Sequence, residues 1–87
     1  MTIDFTKIKV KDITGEIREL DLSKELGNVI FQTTKDLGEL EIARAIYQQG
    51  HIDATKKTVE MIIGYIEDNF VAFVKEALIP ILQRGLN

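Results

Sequence analysis

The chain has 87 residues, no cysteine and a formal net charge of −3 at pH 7. A chain of this length forms one domain with a small core, so residues 1–87 are predicted to be a single domain. The lack of cysteine excludes a disulfide framework and a thiolate metal site, and the acidic balance removes the overall attraction that supplies most non-specific nucleic-acid affinity.

Nothing in the sequence predicts export or insertion into a membrane. The N-terminal stretch MTIDFTKIKVKDITG has no apolar run of the length found in signal peptides. No stretch reaches the roughly 18 uninterrupted apolar residues of a membrane span, and the longest candidate contains Lys75, Glu76 and Pro80. We therefore expect a cytoplasmic protein.

Residues 5–22 have the pattern of an antiparallel β-hairpin. If Ile13, Thr14 and Gly15 form a three-residue loop, Gly15 takes the left-handed conformation that favours glycine. A two-residue loop would instead set apolar residues against acidic ones, so we predict the longer loop. In the resulting register the buried face carries Ile8, Val10, Leu20 and Leu22, and the opposite-charge pairs are Lys7 with Asp21 and Lys9 with Glu19.

Residues 23–84 are predicted to be mainly helical. Ser23 is expected to cap a first helix, which Gly27 makes short and weak, and Gly50 is expected to end a second helix over residues 37–49. The stretch 51–53 could add a third strand to the hairpin. A third helix follows, with Asp53 or Thr55 as its predicted cap. The apolar stripes of the first two helices are Leu26, Val29 and Ile30 in the first and Leu40, Ala43, Ile46 and Tyr47 in the second.

The last region raises the main question about function. In residues 56–67 and 69–83 the polar stripes point in nearly opposite directions if the helix is continuous. Either the helix breaks near Asp68 and Asn69, or its two halves bury opposite faces against different bodies. The second half is apolar over about half of its circumference, which is wider than the ~100° stripe of an ordinary surface helix.

This excess of apolar surface favours a non-enzymatic protein that associates with a protein partner or with a second copy of itself. The predicted interaction residues are Phe70, Phe73, Leu78, Ile81 and Leu82. The alternative is a nucleic-acid-binding accessory protein that uses the basic residues of the hairpin, which are Lys7, Lys9, Lys11 and Arg18.

An enzyme is not predicted, and no catalytic, cofactor or metal site is assigned. His51 is the only histidine and lies in a turn with Asp53 as its nearest carboxylate, which is too little for general base catalysis. The carboxylates Asp36, Glu39 and Glu41 are better explained by the favourable interaction of negative charge with a helix start.

The stretches DITGEI, LDLSKELGNVIFQTTKDLGELEIARAIY and QGHID, followed by an apolar tail, resemble small hypothetical proteins of phage and prophage regions. That resemblance implies an accessory role in a mobile element or virion and assigns no functional residue.

The predicted fold class is α+β, with a hairpin packed on three or four helices. Its predicted core comprises Ile8, Val10, Leu20, Leu22, Leu26, Ile30, Leu40, Ala43, Ile46, Val59, Ile63, Ile66, Phe70, Phe73, Val74 and Ala77.

Overall fold

The computed structural model describes residues 1–84 and has the predicted α+β architecture. The strands are short, and the helices follow the hairpin in the chain. The elements are β1 (Thr2–Asp4), β2 (Ile8–Lys11), β3 (Ile17–Leu20), α1 (Ser23–Thr33), α2 (Leu37–Gln49), β4 (His51–Asp53), α3 (Lys56–Asn69) and α4 (Ala72–Gln83).

The predicted hairpin is confirmed in its register and in its loop. β2 and β3 are antiparallel, with Ile8 facing Leu20 and Lys9 facing Glu19. Gly15 has a φ of 87°, the left-handed conformation expected at the end of a three-residue loop. On the inner face Ile8, Val10 and Leu22 are buried and Leu20 is half-buried, so the alternation of apolar and polar residues was interpreted correctly.

The short strand β4 pairs with a different partner from the one predicted. It lies antiparallel to β1, with Ile3 opposite Ile52, and these two strands form a sheet separate from the hairpin. Phe5 links the two sheets, because its N–H donates to the Gly50 carbonyl at 2.8 Å and its carbonyl accepts from the Leu22 N–H at 2.9 Å. The prediction of a third hairpin strand was therefore wrong, although the strand itself exists.

Each of the first three strands is followed by the same aspartate turn. In each turn one carboxylate oxygen accepts from both the backbone N–H and the hydroxyl of a threonine or serine two residues later, with O–H···O distances of 2.6 Å. The turns are Asp4 with Thr6, Asp12 with Thr14, and Asp21 with Ser23. Ser23 is thus the buried first residue of α1 and not its cap, so that part of the prediction was wrong.

These turns should make the stability of the fold sensitive to acid. The side-chain hydrogen bonds from Thr6, Thr14 and Ser23 are the main reason that the pKa values of Asp4, Asp12 and Asp21 lie below 3.8. A carboxylate whose pKa is lowered by folding stabilises the fold fully above its unfolded-state pKa, and the effect is lost as the pH falls through the folded-state value. We therefore expect the midpoint temperature of thermal unfolding to decrease when the pH is lowered below 3.8.

A variant with asparagine at all three positions tests this expectation, because asparagine forms the same turn without titrating. Thermal unfolding followed by circular dichroism across the acid range should show a smaller loss in the variant than in the wild type. An identical loss in both proteins would contradict the assignment.

The starts of α2 and α3 follow ordinary capping chemistry. The Asp36 carboxylate accepts from the Glu39 N–H at 3.0 Å, and the Thr55 hydroxyl accepts from the Thr58 N–H at 3.2 Å. Of the two predicted caps for α3, Thr55 is therefore the one that is used. Gly50 ends α2 as predicted.

The chain turns a corner between α3 and α4, which decides between the two alternatives left open by the sequence. α3 ends at Asn69 and α4 begins at Ala72, with Val71 in an extended conformation between them. Asn69 does not cap the start of α4. Its side-chain amide donates to the Tyr65 carbonyl at 2.9 Å within α3. The opposed polar stripes follow from this corner, because each helix packs in its own orientation.

The core combines residues from both sheets and all four helices. Phe73 was wrongly predicted to be buried, and Leu20, Leu40, Ile63 and Ala77 are only half-buried. The buried stripe of α4 is rotated by roughly a quarter turn from the predicted one, at 3.6 residues per turn. Buried residues that were not predicted are Ile3, Phe5, Ile52, Ala54, Ile62, Leu78 and Leu82.

Candidate functional site

The predicted interaction face of α4 is largely occupied by the chain's own core. Phe70, Leu78 and Leu82 are buried, because α4 packs against β2 and α3. They are not accessible to a partner, so the prediction was wrong for these three residues. Phe73 remains 52% exposed, and Ile81 is half-buried.

Three of the accessible apolar residues of α4 form a ridge along one flank. Phe73, Ala77 and Ile81 follow at intervals of four residues and therefore lie on the same side of the helix. Two of the three also border β2, where a groove of about 210 Å³ is lined by Lys9, Lys11, Phe73, Glu76 and Ala77. We call this feature the α4–β2 groove.

The charges of the α4–β2 groove have both signs. Lys9 and Lys11 lie on the outer face of the hairpin, and Glu76 lies on the helix. In residues 1–84 none of the three takes part in an ion pair within 4.0 Å. The groove therefore has an apolar centre with two cations on one side and an anion on the other, none of them paired within residues 1–84.

The basic residues of the hairpin do not form one surface. Lys7, Lys9 and Lys11 are exposed, but Arg18 faces Val10 across the hairpin and belongs to the opposite face. The Arg18 guanidinium lies 3.6 Å from the Asp12 carboxylate. The predicted four-residue nucleic-acid surface is thus divided between two faces, and nucleic-acid binding by the lysines alone stays a prediction.

The charge pairs predicted across the hairpin are not closed ion pairs. Within the described part of the chain, neither Lys7 and Asp21 nor Lys9 and Glu19 come within 4.0 Å of each other. Asp21 accepts hydrogen bonds from Ser23 instead. In the described part of the chain, the ammonium groups of Lys7 and Lys9 are therefore not held in ion pairs.

The titratable groups singled out in the sequence have structural roles here. His51 is exposed, with Nδ1 3.1 Å from the Gln49 carbonyl oxygen. The Glu39 carboxylate accepts from the Tyr65 hydroxyl at 2.7 Å and from the Thr34 hydroxyl at 2.8 Å, which ties α3 to the connection between α1 and α2. Over residues 1–84, no three histidine or carboxylate side chains are grouped so that they could hold a metal ion.

The pKa of Tyr65 is raised even though its largest single influence, the hydrogen bond with Thr34, acts to lower it. The hydrogen bond to Glu39, together with burial and the nearby negative charge, outweighs that effect. The Tyr65 hydroxyl therefore stays protonated and serves as a donor to Glu39.

A second groove, which the sequence did not predict, lies between α1 and α2. It has a volume of about 320 Å³ and is lined by Asn28, Phe31, Ala43, Arg44, Tyr47 and Gln48. Phe31 and Tyr47 are 44% and 46% exposed, so Tyr47 lies at the surface although it is on the predicted apolar stripe of α2. The sequence feature that could have indicated this groove is the position of two aromatic residues next to basic and amide residues on the flanks of α1 and α2. We call this feature the α1–α2 groove.

None of the helices in residues 1–84 has the length and apolar character needed to cross a membrane. Comparison of the chain with protein-family models, with curated proteins and with solved structures finds no match. The geometry of the two grooves is therefore the basis for the functional proposals.

Proposed function

We propose that the chain is a non-enzymatic assembly protein that forms a homodimer through the α4–β2 groove and the adjacent ridge of Phe73, Ala77 and Ile81. The observation that carries this proposal is Phe73, a large aromatic side chain that is 52% exposed beside two further apolar residues. Burial of such a side chain in an interface is favourable in proportion to the apolar area removed from water. Aromatic residues surrounded by a polar rim are typical interface anchors.

A second copy of the chain is the occupant that fits the charges. In a twofold interface both copies use the same surface. If one residue contacts a second residue across the interface, the second contacts the first in the same way, so the surface must complement itself. The α4–β2 groove meets this requirement, because Lys9 and Lys11 of one copy can face Glu76 of its partner while the two Phe73 side chains meet near the axis. A partner of uniform charge would leave either the lysines or Glu76 opposed by a like charge.

The resemblance to small phage and prophage proteins supports an accessory role in such an element as the biological setting of this dimer.

The dimer should be lost when Phe73 is replaced by aspartate. A charge placed at the centre of the interface would have to be desolvated against apolar side chains, so we expect the dimer dissociation constant to rise by at least about 30-fold, or ~2 kcal/mol. Light scattering on a sizing column over a wide concentration range measures the solution mass. The wild type should approach twice the chain mass, and Phe73→Asp should stay monomeric with an unchanged far-ultraviolet circular dichroism spectrum.

Leu37→Asp is the matched control, because Leu37 is 80% exposed at the start of α2 and lies outside the groove. It should leave the dimer intact. Charge reversal adds a second criterion: Glu76→Lys and the double variant Lys9→Glu, Lys11→Glu should each weaken the homodimer, and mixing the two variants should restore a dimer. A wild type that is monomeric at every concentration would overturn the proposal.

A further inference from the structure

The α1–α2 groove is built from two crossed pairs of a cation and an aromatic ring. Lys24 of α1 lies with Nζ 4.4 Å from the centroid of the Tyr47 ring on α2. Arg44 of α2 lies with its guanidinium carbon 5.6 Å from the centroid of the Phe31 ring on α1. Both distances are within the range of an attractive cation–π contact, so the pairs fix the positions of four half-exposed side chains.

The two pairs are held close together by a short approach of the helix backbones. A Cβ at Gly27 of α1 would lie 3.0 Å from both the Ala43 carbonyl oxygen and the Tyr47 nitrogen of α2. The Lys24 ammonium also donates to the Tyr47 carbonyl. The groove is therefore a preformed feature of the helix pair, which reduces the entropy lost on binding.

The groove is positively charged in a chain that is acidic overall. Its lining contains no aspartate or glutamate, although the chain has 14 acidic and 11 basic residues. Arg44 is the charged residue of the lining, Lys24 lies beside it over the Tyr47 ring, and the amides of Asn28 and Gln48 add hydrogen-bonding groups. Glu41 pairs with Arg44 from outside the groove, and among residues 1–84 it is the one carboxylate that competes for it.

We infer that the α1–α2 groove binds an acidic segment of a partner protein. Its carboxylates would contact Lys24 and Arg44, and an apolar side chain between them would lie against Phe31 and Tyr47. This site is separate from the α4–β2 groove, so the inference does not depend on the proposed dimer. A groove with anchoring aromatic residues and an arginine has the composition found at protein-binding hot spots.

A protein segment fits these observations better than a nucleic acid. Base recognition on such a surface depends on free aromatic faces for stacking, and here each ring already has a cation over one face. The volume of about 320 Å³ is suited to one or two side chains. Two cations also provide few phosphate contacts for a chain whose net charge is −3.

The test uses the full chain and a fluorescein-labelled peptide in which glutamate and aspartate alternate with leucine and phenylalanine. Fluorescence anisotropy should show saturable binding that weakens as salt is added, because the contacts include ion pairs. Lys24→Gln and Arg44→Gln should each weaken binding by about tenfold, as expected for the loss of a charge-assisted contact. Glu41→Gln should strengthen it, because Arg44 loses its competing partner.

Lys35→Gln is the matched control, since it removes the same charge from an exposed residue outside the groove. Binding by this variant should match the wild type. Equal weakening by Lys35→Gln and Arg44→Gln would overturn the inference in favour of non-specific attraction, and so would the absence of any peptide binding. Displacement of the peptide by single-stranded DNA at equal charge concentration would overturn it in favour of a nucleic-acid site.

The two proposals fail independently. The peptide titration is repeated in the Phe73→Asp background, where the expected affinity is unchanged because Phe73 lines the other groove. A loss of peptide binding in that background would assign the peptide to the α4–β2 groove and overturn the inference.

Discussion

Replacing Leu78 by alanine should lower the free energy of unfolding by about 2–5 kcal/mol, the range for truncation of a buried leucine. Leu78 is fully buried at the centre of α4, with Val74 and Leu82 one turn away on the same stripe. The stripe faces β2 and α3, so the truncation leaves a cavity in the only large core that this short chain has in its described part. Urea denaturation followed by circular dichroism measures the change.

Phe73→Ala in the same helix is the control for this prediction. Because Phe73 is half-exposed, its truncation should change the free energy of unfolding by less than about 1 kcal/mol while weakening the proposed dimer. The opposite result, in which Leu78→Ala dissociates a dimer and leaves the monomer as stable as before, would mean that the inner face of α4 packs between copies. The two variants therefore distinguish core burial from interface burial on one helix.

The hairpin could be predicted in detail because its information is local. Gly15 provides the conformation that the loop requires, and of the two registers considered only the observed one sets Ile8 opposite Leu20 and not opposite an acidic residue. The pairing of β1 with β4 could not be predicted in the same way. Each strand has three residues, which is too short for a recognisable alternation, and Ile3 meets Ile52 across most of the chain.

The orientation of α4 was harder to predict than its existence. A helix that is apolar over half of its circumference has several stripes of similar hydrophobicity, so periodicity does not determine which one faces the core. The corner at Val71 and the position of β2 select Val74, Leu78 and Leu82, and Phe73 is left outside. Of the five residues predicted to interact with a partner, Phe73 and Ile81 are therefore accessible, and the other three belong to the core.

The α1–α2 groove was missed because Tyr47 was placed on the apolar stripe of α2 from its spacing alone. Spacing places Tyr47 next to the buried stripe of α2, but Gly27 brings α1 so close that the ring is directed to the surface beside Lys24. Gly27 was interpreted as a weakness of α1. Its structural reason, the close contact with α2, depends on a partner helix that the local sequence does not reveal.

Replacing Gly27 by alanine should destabilise the fold, although alanine is the better helix former by about 1 kcal/mol. The new Cβ would lie 2.9 Å from the Tyr47 Cβ and 3.0 Å from two backbone atoms of α2, so relief of the contact requires the helices to move apart. Overpacking of this kind costs about 1–3 kcal/mol, which exceeds the gain in helix propensity. Chemical denaturation should therefore show a net loss of up to about 2 kcal/mol.

Gly64→Ala provides a control with the same chemical change and the opposite expected sign. Gly64 lies in the middle of α3, is exposed, and has no atom within 4 Å of a Cβ placed on it. The variant should gain about 0.5–1 kcal/mol from helix propensity alone. If both variants gained stability, the close contact between α1 and α2 would be wrong, and the arrangement of Lys24, Phe31, Arg44 and Tyr47 that defines the α1–α2 groove would be wrong with it.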